Sequence, residues 1–189
     1  HLQVMERYIR ENSVELPDRQ LACAPLSSRQ GDDYYKAMCC GANYAWANRQ
    51  MITHWIRESF ENALGGSAED MGMRMVYDVA HNIAKKERHR VDGRDMDVLV
   101  HRKGATRAFA PGRREIAPEY RELGQPVIVP GDMMAGTYVL AGRQGAMDET
   151  FGSACHGAGR RLSRKAAIGS TSAKAIKEGM AESGICLRS

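Results

Sequence analysis

The sequence predicts an α+β chain with mixed or antiparallel strands and one long packed helix, and three observations carry the prediction. Between Tyr34 and about Leu64, the residues Tyr34, Met38, Ala45, Ile52, Trp55 and Phe60 recur at roughly helical spacing, with Arg49, Arg57 and Glu58 on polar faces. The segments PVIVPG and TYVLAG are apolar runs of strand length. Strands and helices alternate without a βαβ rhythm, which argues against a doubly wound parallel sheet.

Each element follows in order. MERYIREN fits a short helix or a helix end, and LPDRQLACAPLSSRQGDD, with Pro17, Pro25 and Gly31, reads as loop. Asp32 or Asp33 is the expected N-cap of the long helix, and Gly65 and Gly66 stop it. The alternation of Met73, Met75, Tyr77 and Val79 predicts a strand that ends just before His81 and Asn82. A turn, a second strand from about Met96 to His101 and a bend at Gly104 follow. PGRREIAPEYRELGQ is a long excursion with little regular structure, and two short strands joined by GDMMAG come after it. A short helix around Ala146–Phe151 leads into FGSACHGAGRRLSR. A further helix is expected from Gly159 or Arg160, and a last one is capped by Ser170 or Thr171. No linker composition interrupts the chain, so residues 1–189 are read as a single domain.

Composition excludes several classes. With 189 residues, 43% of them hydrophobic and 26% charged, the chain folds around one sizeable core or two small ones and is not disordered. No run approaches a membrane span, and the first twenty residues lack the apolar segment of a signal peptide. The net charge of +4 permits a polyanionic partner without requiring one. Five cysteines stand in neither zinc-site nor paired redox spacing, which predicts a reducing, cytoplasmic setting and no structural disulfide. The chain begins without methionine and ends abruptly at SGICLRS, so it is read as a segment of a longer protein.

Three stretches could carry chemistry. In CHGAGRR, Gly157 and Gly159 let backbone amides approach a ligand, while Arg160, Arg161 and Arg164 suit phosphate. His156 between them can attack phosphorus and hold it as a phosphoramidate, or it can be a turn histidine bonded to backbone. His81 and Asn82 lie at a strand end, where a neutral imidazole binds a transition metal or orients a phosphate, or else simply bonds a carbonyl. His101, Arg102, Lys103 and Arg107 surround a small-residue bend able to cradle phosphate, although neither a P-loop nor a GxGxxG is present. A charged surface loop fits the same residues. His54 and His89 are left outside the site.

NYAWANRQMITHWIRESF, YDVAHNIAK, VHRKGATRAF, GQPVIVPGDM and ETFGSACHGAGRRLSR, in this order, resemble the RtcB family of RNA-splicing ligases. The resemblance implies an RtcB-like fold, present here as an incomplete, middle-to-late part of the catalytic domain. It implies joining of an RNA 2′,3′-cyclic phosphate or 3′-phosphate end to a 5′-hydroxyl end, with GTP and manganese as cofactors and a GMP–histidine adduct. His156 matches the guanylated histidine and His81 a manganese ligand. Asn82, Gly157, Ala158, Gly159, Arg160, Arg164 and Lys103 fall on guanylate- or phosphate-contacting positions, and Arg107 on the same basic loop. The 130–136 loop matches one that lines the guanylate, with Asp132 standing in place of a hydroxyl and Met134 in place of a glycine. Transfer RNA exons are the implied substrate, and an archease-like activator is the implied partner. Because the family's upstream metal ligands are not in this sequence, the isolated chain is expected to be inactive. A non-catalytic RNA- or partner-binding relic, or a GTP-dependent enzyme for another RNA end, is the alternative.

Overall fold

The structure, a computed structural model, describes residues 2–131, 136–157 and 162–186, apart from the side chains of Arg19 and Arg164. It divides into two compact units, His1–Asp78 and Val79–Ser189.

The first unit is helical. Helix α1 (Leu2–Glu11) packs on α2 (Arg29–Leu64) and buries Met5. Ser28, not Asp32 or Asp33, is the N-cap of α2. Its Oγ accepts from the Gly31 amide at 3.1 Å and its hydroxyl donates to the Pro25 carbonyl at 2.6 Å. The helix therefore starts a turn earlier than periodicity alone suggests, and Asp32 sits in its first turn, paired with Lys36. The apolar stripe is not a buried core, since Ile52, Trp55 and Phe60 are 43%, 53% and 47% exposed. A period identifies a face; burying it needs an opposing apolar layer, and this unit offers α2 only α1 and the irregular stretch after it.

No strand forms between Met73 and Val79. Residues there bond to α2 instead. Arg57 donates to the Met73 carbonyl at 3.4 Å, and Arg49 Nε donates to the Asp78 carboxylate at 2.6 Å. Alternation predicts a strand only if a neighbouring strand takes up the backbone groups; here no strand pairs with it, and α2 instead meets one carbonyl and one carboxylate of the stretch.

Among its described residues the second unit holds three two-stranded antiparallel ladders. Strand β1 (Asn82–Val91) pairs with β2 (Arg94–Lys103), from Asn82 opposite Lys103 to Val91 opposite Arg94, across the two-residue turn Asp92–Gly93. Strand β3 (Ala105–Arg107) pairs with β6 (Ser153–Cys155), and β4 (Pro126–Pro130) with β5 (Thr137–Ala141). His81 and Asn82 thus precede and open a strand, where the sequence placed them after one. Helix α3 (Gln144–Thr150) lies where it was expected. Helix α4 (Arg164–Ser170) begins at Arg164 with Ser163 as its cap, later than predicted, and Ser172 rather than Ser170 or Thr171 caps α5 (Ala173–Glu182). A single short 3-10 turn, Pro118–Tyr120, interrupts the long excursion.

The core of this unit centres on Phe109, which is fully buried together with Ile116, Gln125 and Val127. Gln125 knits three segments. Its amide donates to the Phe109 carbonyl, its carbonyl accepts from Gly142, and its Oε1 accepts from Arg107 Nε at 3.0 Å. All five cysteines are free. No helix among the described residues is long and apolar enough to cross a membrane.

Candidate functional site

The site is set by the residue between β2 and β3. Gly104 donates its amide to the His81 carbonyl at 3.0 Å and accepts the His156 amide on its own carbonyl, also at 3.0 Å. One residue therefore fixes the backbone of both histidines. Its φ is +65°, a left-handed conformation that suits glycine. The consequence is direct: the rings of His81 and His156 stack, with centroids 4.0 Å apart and planes 8° from parallel. His156 is half-buried and His81 exposed.

Two other predicted residues gather at this end of the hairpin. Asn82 and Lys103 are register partners at the open end of the β1–β2 ladder, both exposed, and directly opposed residues share a sheet face. Gly157 follows the nucleophile candidate, and a Cβ there would lie 3.0 Å from the Pro130 carbonyl. Its missing side chain thus lets the end of β4, where the 130–136 loop starts, come against the residue after His156. Asp132, Met134, Ala158, Gly159, Arg160 and Arg161 lie outside the described residues, as does the side chain of Arg164, whose backbone opens α4.

Arg107 is engaged elsewhere. Its guanidinium donates to Gln125 and to the Glu115 carbonyl and lies 4.7 Å over the Phe109 ring, which the Arg113 guanidinium also approaches to 4.7 Å. The residue that does the unexpected work is Arg102. It is 2% exposed and pairs bidentately with Glu87 at 2.8 and 2.9 Å. It also donates to Ser153 Oγ at 2.8 Å and to the Phe151 carbonyl at 2.9 Å, with a longer contact of 3.4 Å to Gly152. His89 completes the group, its Nε2 lying 2.9 Å from Glu87 and its ring edge-on to Phe109 and Phe151. Burial pushes the Glu87 carboxyl upward, but hydrogen bonds from Arg102 and His89, with the nearby guanidinium charges, outweigh it and leave its pKa below the ordinary value. Lys85, on the same face of β1, has its pKa lowered by burial first and by Arg107 next.

Sequence reasoning missed Glu87, His89 and the buried role of Arg102. The available signal was period two: Lys85, Glu87 and His89 alternate with Lys86, Arg88 and Arg90, and inward polar positions read as a solvated charge run.

Among the described residues no group of three or more His, Cys, Asp or Glu side chains could hold a metal ion. His81 offers one imidazole nitrogen, so these residues by themselves do not fit a manganese site.

The family model for the tRNA-splicing ligase RtcB matches residues 1–189. Curated relatives carrying that same name include proteins from Methanocaldococcus jannaschii (59% identical over 98% of the chain), Methanococcus maripaludis (57% over 98%) and Archaeoglobus fulgidus (53% over 99%). The chain spans only 19%, 38% and 39% of their respective lengths. A match that runs the whole length of the chain, over the segments that bring His81 and His156 face to face, makes this chain a member of the RtcB tRNA-splicing ligase family.

Proposed function

We propose that residues 1–189 are part of one catalytic domain of a GTP-dependent RNA ligase, and that His156 is its nucleophile. In the first step an unprotonated nitrogen of His156 attacks the α-phosphorus of GTP. A phosphorus–nitrogen bond forms, the bond to the pyrophosphate oxygen breaks, and pyrophosphate leaves. An RNA 3′-phosphate, formed by hydrolysis of the 2′,3′-cyclic phosphate where that is the starting end, then attacks the phosphorus of the GMP; its bond to His156 breaks and a phosphoanhydride between the RNA end and GMP forms. Finally the 5′-hydroxyl of the second strand attacks, GMP leaves, and the strands are joined. Transfer RNA exons are the proposed substrate, an archease-like protein the proposed activator, and the cytoplasm the proposed setting.

The observation that supports this best is the stacked imidazole pair. His156 is held by its backbone amide, so its ring is presented by a fixed strand end rather than by a loose turn. Lys103 at the open end of the β1–β2 hairpin, with Asn82 as its register partner, is proposed to meet phosphate oxygens, and Gly157 to let backbone approach. Arg160 and Arg164, with Ala158, Gly159 and Asp132, complete the proposed guanylate contacts by family resemblance. Manganese belongs to this reading on the same ground, with His81 as one ligand. The remaining ligands are not supplied by the described residues, and no step here is assigned to the metal.

The test is covalent labelling. The full-length gene product, incubated with manganese and GTP labelled at the α-phosphate, should acquire an acid-labile, alkali-stable label characteristic of a phosphoramidate. His156→Ala should remove it. Label retained in His156→Ala, or absent from the unsubstituted protein, overturns the assignment.

A further inference from the structure

We propose that Arg102 is a positioning residue for His156, acting through the turn Phe151–Ser153 rather than by touching substrate. This rests on the nucleophile assignment above. The covalent path from that turn to His156 is short: Ser153 opens β6, Cys155 ends it, and His156 follows. Strand β6 has only three residues and one ladder partner, β3, which is equally short. Such a ladder sets register poorly by itself, because three residues give few hydrogen bonds and little side-chain burial. At its upstream end the Ala108 amide meets the Gly152 carbonyl at 2.7 Å and the Thr150 hydroxyl bonds Ser153, both local contacts; the tie from this turn to the β1–β2 hairpin is made by a side chain.

Arg102 makes that tie from the other side of Gly104. Its guanidinium takes hold of three consecutive residues, at the Phe151 carbonyl, the Gly152 carbonyl and Ser153 Oγ. Glu87 fixes the guanidinium from behind by a bidentate pair, and His89 fixes Glu87. All three side chains lie on or across from the inner face of the β1–β2 hairpin, which also begins at Asn82, next to His81. The hairpin therefore carries one imidazole on its own backbone and clamps the strand that carries the other. Arg102 and Gly104, two residues apart, hold β6 at its start and just past its end. The separation of the stacked rings then depends on this clamp as well as on the short β3–β6 ladder.

A planar, forked donor is needed for this, since one group must meet a carboxylate and two backbone carbonyls together. Lysine keeps the charge and loses the fork.

The experiment uses the full-length gene product with ¹³C-labelled histidine, comparing the unsubstituted protein with Arg102→Lys. Stacked rings shift each other's protons upfield. In Arg102→Lys the His81 and His156 ring resonances should move downfield together. The guanylylation rate at saturating GTP should fall about tenfold or more, because small misplacement of a reacting group is costly. The KM for GTP should stay within about threefold, since ground-state binding is not the interaction removed. A folded Arg102→Lys protein with unmoved resonances and an unchanged rate overturns the proposal. If Arg102→Lys fails to fold, Ser153→Ala removes one of the same contacts without leaving a buried charge. It should move the resonances in the same direction by less and slow guanylylation about threefold; no change in either measurement overturns the proposal. The resonance shift needs no GTP. A protein that GTP never labels would sink the nucleophile assignment, while the ring shifts would still judge the clamp.

Discussion

Glu87 is the residue on which the buried polar group turns. It faces a guanidinium and an imidazole in a place where water cannot substitute for either. Removing one member of such a pair leaves an uncompensated charge, which destabilises by about 3–5 kcal/mol. Glu87→Gln should therefore lower the urea midpoint by a corresponding amount, measured against the unsubstituted protein at pH 7. The pH dependence has a definite sign. The folded-state pKa of Glu87 lies below its ordinary value of 4.5. Its contribution is fully present above the unfolded-state value and is lost as pH falls through the depressed folded-state value. The gap between the two proteins should thus stay constant from pH 7 to the ordinary carboxylate range and narrow below it. A gap that widens toward acid would contradict the ion pair. At this scale the sequence was legible where a residue's chemistry is its role. His156 and His81 stood out as candidates because imidazole beside glycine, or after an expected strand, permits reactivity, but their residue types alone fitted a turn or a core edge equally well, and only the family resemblance gave them roles; the structure adds that their rings stack. Glu87 and the buried role of Arg102 were not found, because charged residues in a charged segment are ordinarily solvated, and only the fold says which of them face inward.

The elements were legible in proportion to how ordinary their buried residues are. Helix α2 and the β4–β5 hairpin follow from apolar spacing. Strand β1 hides because the buried positions of its period-two face are Glu87 and His89, so a charge run conceals the pattern. The 73–79 stretch errs the other way, with the right alternation and no strand beside it. Glycines divide similarly. Gly104 and Gly152 have nearly the same backbone, with φ of +65° and +62°. A Cβ at Gly104 would meet nothing within 4 Å, whereas at Gly152 it would lie 2.5 Å from Phe109 Cδ1 and 2.7 Å from Met147 Sδ. Gly104→Ala carries only the left-handed penalty of about 1–2 kcal/mol. Gly152→Ala adds overpacking against the core, a further 1–3 kcal/mol or so. Denaturant titration should rank Gly152→Ala as clearly the less stable. Gly104→Ala should still impair guanylylation more than its small stability loss explains, because it strains the residue that holds both histidines. Equal stability losses would contradict the packing described at Gly152.

At the scale of the whole molecule, the second unit contains its own core, its own buried ion pair and both stacked imidazoles. What the chain lacks among its described residues is a set of metal-binding side chains. The relatives it matches are far longer, and it covers 39% of the Archaeoglobus fulgidus protein. One imidazole cannot neutralise a triphosphate or take up the charge developing on pyrophosphate. An attacking nitrogen held in place still faces a highly anionic target, and oriented positive charge ordinarily supplies the largest part of the acceleration in such a step. Lys103 is exposed and screened by solvent, and Arg160 and Arg164, proposed to join it, bring charge and hydrogen bonds but not the Lewis acidity of a metal ion. The purified 189-residue chain, given GTP, manganese and an end-labelled RNA pair, should therefore yield no joined product, and α-labelled GTP should leave no measurable label on His156. The full-length gene product under the same conditions should do both. Joining by the 189-residue chain would mean that its own residues assemble a complete charge-stabilising site, and the division of labour argued here would be wrong.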